Sequence, residues 1–118
     1  MFKVGWFNQN QKGIHFEVYI GDREMERQKT HLVMHVLHSD TFPGTDLQRD
    51  AFIRPFLATS HGIWKRWKGY RVSETTMTVL SSEVRFTDET LVDVLFHRFT
   101  QIQELGTIVD DVIEKALR

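Results

Sequence analysis

Six histidines stand in the chain, His15, His31, His35, His38, His61 and His97. Imidazole is the commonest metal ligand and the side chain that changes charge nearest neutral pH, so their spacing is the first question. In a helix, His31, His35 and His38 sit at i, i+4 and i+7 and share one face. In a strand, a different set converges. Ile14, Phe16, Val18 and Ile20 alternate with His15, Glu17 and Tyr19, the period-2 pattern of a half-buried strand. Pairing Ile20 with Thr30 across the intervening loop sets His15 opposite His35, Glu17 opposite Val33 and Tyr19 opposite His31. His15, Glu17, His31 and His35 then lie on one sheet face. Two imidazoles and a carboxylate from His15, Glu17 and His35 suit zinc or another divalent ion. A polar sheet face turned to water accounts for the same residues without a metal, and no His-Glu-x-x-His motif is present.

A second cluster is Trp64-Lys65-Arg66-Trp67-Lys68-Gly69-Tyr70-Arg71, with four cations and three aromatics in eight residues. Read as a strand, it can bring Lys65, Arg66, Lys68 and Arg71 to phosphates while bases stack on Trp64, Trp67 or Tyr70. The structural alternative buries the tryptophans under lysine and arginine stems. In a regular strand Trp64 and Trp67 point to opposite faces, so one is exposed unless a turn intervenes.

Other chemistry finds little support. The absence of cysteine removes disulfides, thiolate metal sites and a Cys nucleophile. The glycines form no phosphate-binding loop, no serine lies in a nucleophile elbow, and the adjacency of Ser60 and His61 is not a triad. Asp110, Asp111 and Glu114 read as the solvated face of a helix. Glu26-Arg27-Gln28-Lys29 has the wrong spacing for a nuclease site. Fifteen Lys and Arg against sixteen Asp and Glu give a net charge of -1, so any nucleic-acid or protein partner must be held by a local patch rather than a global field. No apolar run approaches the roughly 20 residues of a membrane span, and the polar start does not read as a signal peptide. The expectation is a soluble cytoplasmic protein.

These residues need elements to position them. Residues 2–8 are aromatic and β-branched, and a polar turn containing Gly13 follows, which predicts a hairpin with 14–20. Residues 30–39 fit a strand with Leu32, Met34 and Val36 inward, and also fit a helix; the strand is preferred for its length. Thr45-Asp46-Leu47-Gln48 forms a capping box before Leu47, Ala51, Phe52, Phe56 and Leu57 at helical spacing. Pro55 should kink or end that helix, and Gly62 should close it. Residues 63–86 read as β-rich. Thr87, Asp88 and Glu89 then open a second helix with negative charge at its positive end. Its stripe runs Leu91, Leu95, Ile102, Leu105, Val109, Val112 and Ala116, with Arg98 on the same face.

The fold class is therefore α+β, a single domain over residues 1–118: an antiparallel sheet of about four to five strands in β-β-β-α-β(β)-α order, with two helices on one face. The last apolar stripe is longer than a domain of this size. Either Gly106 breaks the helix, or Val109, Val112, Ile113, Ala116 and Leu117 overhang and need a partner, which predicts a homodimer through the C-terminal helix. The leading functional expectation is a binding or regulatory module. Its rivals are a small metal-dependent enzyme on the His/Glu sheet face and a nucleic-acid binder through 64–71. Catalysis and cofactor stay open at this level.

Overall fold

The computed structural model describes residues 2–8, 11–37 and 48–117. Eight elements follow in order: β1 (Phe2–Asn8), β2 (Gln11–Ile20), α1 (Asp22–Arg27), β3 (Lys29–Val36), α2 (Arg49–Trp64), β4 (Arg71–Val72), β5 (Thr78–Arg85) and α3 (Leu91–Ala116). The strands form one antiparallel sheet in the order β1-β2-β3-β5-β4. Helices α2 and α3 pack on each other and cover one face of it. The fold is α+β, and β3 lies at the centre of the sheet.

Alternation in β2 and β3 decides which face is covered. Ile14, Phe16 and Val18 from β2, and Leu32, Met34 and Val36 from β3, are buried beneath the helices. The intervening His15, Glu17, His31, Val33 and His35 lie on the other face, half-buried or exposed. The expected register is the observed one: His15 faces His35 and Glu17 faces Val33. The strand reading of residues 30–36 holds, which removes the helical arrangement of His31 and His35; His38 lies outside the described residues. Opposite β3, β5 carries a bulge. Met34 pairs with Leu80 and His35 with Thr78, so Val79 is an extra residue, and Val79 and Leu80 both point into the core.

The sequence reading misses α1. Gly21 precedes it, Asp22 and Glu24 stand in its first turn and Arg27 in its last, each charge placed to suit the helix dipole. The Glu24 carboxylate accepts the Gly21 amide at 2.8 Å. Gln28 ends the helix in the left-handed region at φ 58. That conformation is unusual for a residue with a Cβ; here the Gln28 side-chain amide donates to the Met25 carbonyl and the Asp88 carboxylate.

The long helices differ from expectation at their ends. α2 starts at Arg49 with Gln48 as its N-cap and without a side-chain cap bond; of the expected capping box Thr45 to Gln48, residues 45–47 lie outside the described residues. It continues through Pro55 and Gly62 to Trp64. Pro55 removes one backbone donor without ending the helix, and Gly62 is exposed with open space around it. α3 starts at Leu91, because Thr87 and Thr90 first form a turn in which each hydroxyl accepts the other's amide. It then runs 26 residues without a break at Gly106, about 39 Å at 1.5 Å per residue. The molecule is 46 Å in its longest direction and matches that length. Val109, Val112 and Ile113 are buried within the chain itself. Of the five residues expected to overhang, these three are covered by the chain itself, whereas Ala116 and Leu117 stay exposed, so most of the distal stripe needs no partner. Near the start of α3, Val92 and Phe96 are exposed as well.

Two buried or half-buried arginines tie loops to this frame. Arg49 is 6 % exposed, and its guanidinium donates to the carbonyls of Leu37, Glu74 and Thr76. Arg98, the cation inside the apolar stripe, donates to Ser82 Oγ and the Glu83 carbonyl. Burial lowers the pKa of both, since a low-dielectric setting disfavours the charged form.

Candidate metal and ligand site on the open sheet face

His15 and Glu17 share a face because they are two residues apart on β2. His35 joins them because the antiparallel register sets it across from His15. The position opposite Glu17 on β1 is Gly5. His15 Nε2 lies 2.7 Å from Glu17 Oε1. His35 Nδ1 lies 3.3 Å from His15 Nε2 and 3.8 Å from Glu17 Oε1. The two imidazole rings meet edge to face, with centroids 5.1 Å apart. The three side chains retain 21 to 24 % of their exposure, so they are partly desolvated yet reachable from solvent. Among the described residues, this is the one group of three His, Asp or Glu residues whose potential ligand atoms all lie within 4.8 Å of one another.

The separations decide what the cluster can hold. A tetrahedral ion with bonds of about 2.0–2.1 Å holds its ligands about 3.3–3.4 Å apart. The observed 2.7, 3.3 and 3.8 Å bracket that value. The close His15–Glu17 hydrogen bond has to open by about 0.6 Å and the Glu17–His35 gap to close by slightly less, both within reach of side-chain rotation.

No known protein family, curated protein or solved structure matches this chain. The functional reading therefore rests on the geometry alone.

His31, the third histidine of the expected sheet face, lies further along the same face, next to a second feature. Helix α1 folds against β2 and β3, and a cavity of 320 Å³ opens between them, lined by Glu17, Tyr19, Arg23, Glu24, Arg27, Lys29, Thr30, His31 and Val33. Glu17 belongs to both the cavity and the histidine cluster. A loop between Ile20 and Thr30, as the strand pairing implies, leaves no place for this cleft. The available signal was the glycine before Asp22 and the acidic-to-basic run across residues 22–27.

The 64–71 segment is placed differently from expectation. Trp64 is the last residue of α2, residues 65–69 turn, and only Arg71 and Val72 form a strand before β5. Because a turn separates them, both tryptophans are buried. Trp64 Nε1 donates to Ser60 Oγ at 2.9 Å, and Ser60 Oγ donates to the Phe56 carbonyl. Trp67 Nε1 donates to Gln101 Oε1, and the Arg98 guanidinium lies 5.0 Å over the Trp67 ring. Gly69 makes the turn at φ +61, a conformation glycine adopts without strain. The Lys68 carbonyl accepts from the Glu83 amide and from Ser82 Oγ, which docks the turn on β5. Lys65, Arg66, Lys68, Tyr70 and Arg71 are exposed. The cations are therefore outside and the tryptophans inside, the packed alternative, with the turn that it requires. Tyr70, whose ring is 5.1 Å from that of Trp64, is the one aromatic of the segment at the surface.

Proposed function

We propose that the open face of the sheet is a divalent-metal site formed by His15, Glu17 and His35, with zinc the best fit, and that the protein is a metal-dependent binding module. The observation that carries this is the mutual distance of three ligand atoms on two paired strands. Mixed nitrogen and oxygen donors suit zinc better than calcium or magnesium, which prefer oxygen alone. Three protein ligands among the described residues match the zinc sites that keep a fourth position for water or a bound group, whereas structural zinc sites are closed by four. A cytoplasmic setting remains part of this proposal as a sequence-based expectation; among the described residues no helix is long and apolar enough to cross a membrane.

The test is zinc titration of metal-free protein against a chromophoric chelator. One equivalent is expected to bind the native chain, and binding should be lost in His35→Ala, whose position on the half-open face leaves the core untouched. Equal zinc uptake by native protein and His35→Ala would refute the site. With both tryptophans buried, the nucleic-acid reading keeps Tyr70 as its one exposed aromatic beside the exposed cations. The homodimer reading moves to Val92 and Phe96 on α3, where sedimentation can test it.

A further inference from the structure

The cavity under α1 has a lining unlike the rest of the sheet face. Arg23, Arg27 and Lys29 contribute three permanent cations, His31 a fourth when protonated, against the carboxylates of Glu17 and Glu24. Glu24 is engaged by the Gly21 amide, and Lys29 leans toward Glu83 at 3.6 Å. Arg23 and Arg27 form no ion pair among the described residues. They stand four apart on α1, so their side chains project from the same side of the helix. The rest of the lining is Val33, Thr30, and Tyr19 with 48 % exposure. The volume, 320 Å³, is at the small end for ligand sites and suits one small molecule.

We propose that this cleft binds a small phosphate monoester with an apolar or aromatic body. The phosphoryl group lies against Arg23 and Arg27, whose planar forks match its oxygens in pairs. The organic body lies on Tyr19 and Val33. Glu17 is shared with the histidine cluster, so a phosphoryl oxygen at the metal's open position belongs to the same site. The inference rests on the metal reading for that last contact alone.

The test is calorimetric titration of phenyl phosphate into the full chain, without and with one equivalent of zinc, alongside benzoate. Zinc uptake is read separately in the same samples by chelator competition. Saturable binding of phenyl phosphate is expected, strengthened by zinc and tighter than benzoate. The double variant Arg23→Ala/Arg27→Ala should weaken it about tenfold or more, the loss of a charge-assisted contact. The double variant Lys65→Ala/Arg66→Ala removes the same charge elsewhere and should leave it unchanged. Circular dichroism verifies that both variants are folded. Absence of saturable binding with and without zinc overturns the proposal, as does equal weakening by both double variants or tighter binding of benzoate. Zinc uptake without phenyl phosphate binding leaves the metal site standing and refutes the cleft. Phenyl phosphate binding that depends on Arg23 and Arg27 without zinc uptake refutes the metal site and supports the cleft.

Discussion

Residues 14–36 and residues 60–71 are both dense in groups that bind, and the fold treats them in opposite ways. On β2 and β3 the imidazoles of His15 and His35 and the carboxylate of Glu17 meet each other on the open face, where solvent still reaches them. At the end of α2 the indoles of Trp64 and Trp67 turn inward, and each ring N–H is taken up by a side chain of the protein itself. The difference lies in what the backbone repeats. A strand sends every second residue outward, so polar groups two apart stay together and available. A helix end followed by a turn rotates each successive residue to a new direction, so neighbours in sequence part company. Chemical density along a chain becomes a site only where the backbone period returns the groups to one side.

The comparison is broken most severely by removing an indole. Trp64→Ala should destabilise the protein by about 3–5 kcal/mol, the range for a buried large aromatic, as read by denaturant unfolding. A change below about 0.5 kcal/mol, the ordinary surface value, would mean that the corner is not packed and that its aromatics are available after all.

The sheet face should respond to ligand instead. Zinc at a hundred times its dissociation constant should stabilise the native chain by about 2.7 kcal/mol, seen as a raised Tm, with no such gain in His35→Ala. The gain should shrink as pH falls from 7.5 toward 5.5. Protonated imidazoles cannot ligate, so binding releases protons and weakens where protons are abundant. A gain that is constant across that range would exclude the histidines as ligands.

Much of the sheet face was legible beforehand. Seven residues of strict alternation between Ile14 and Ile20 defined one strand, and a single pairing assumption, Ile20 with Thr30, put His15 across from His35. The cleft was not legible. A six-residue helix such as α1 makes fewer than two turns at 3.6 residues each, too few for periodicity to show. The corner was misread because Gly62 looks like a stop. In an exposed position it costs a helix only about 1 kcal/mol, and the burial of Ile53, Phe56, Leu57 and Trp64 on one side of α2 outweighs that. Nothing local marked Arg49 as a buried residue, since its three carbonyl partners come from distant loops.

Arg98 ties the second region to the sheet, touching Trp67 on one side and β5 on the other. Arg98→Met keeps the stem and removes the donors; it should cost about 1–3 kcal/mol, the penalty for stranding buried acceptors. No loss of stability would show that the stem's packing is all that matters there. The smallest effect is expected at the exposed start of α3. Phe96 is 72 % exposed, so Phe96→Ser should change stability by less than about 0.5 kcal/mol. If sedimentation shows the native chain as a dimer and Phe96→Ser as a monomer, that surface is a subunit contact.

The enclosure of Arg49 also governs its reactivity. Arginine-selective dicarbonyl reagents attack a guanidinium only when it swings free, and Arg49 is held by carbonyls at the end of β3 and in the loop before β5. Arg23 and Arg27 on α1 are exposed and meet such a reagent directly. Labelling of Arg49 must wait until that end of the molecule opens, and its rate under native conditions becomes a clock for that opening.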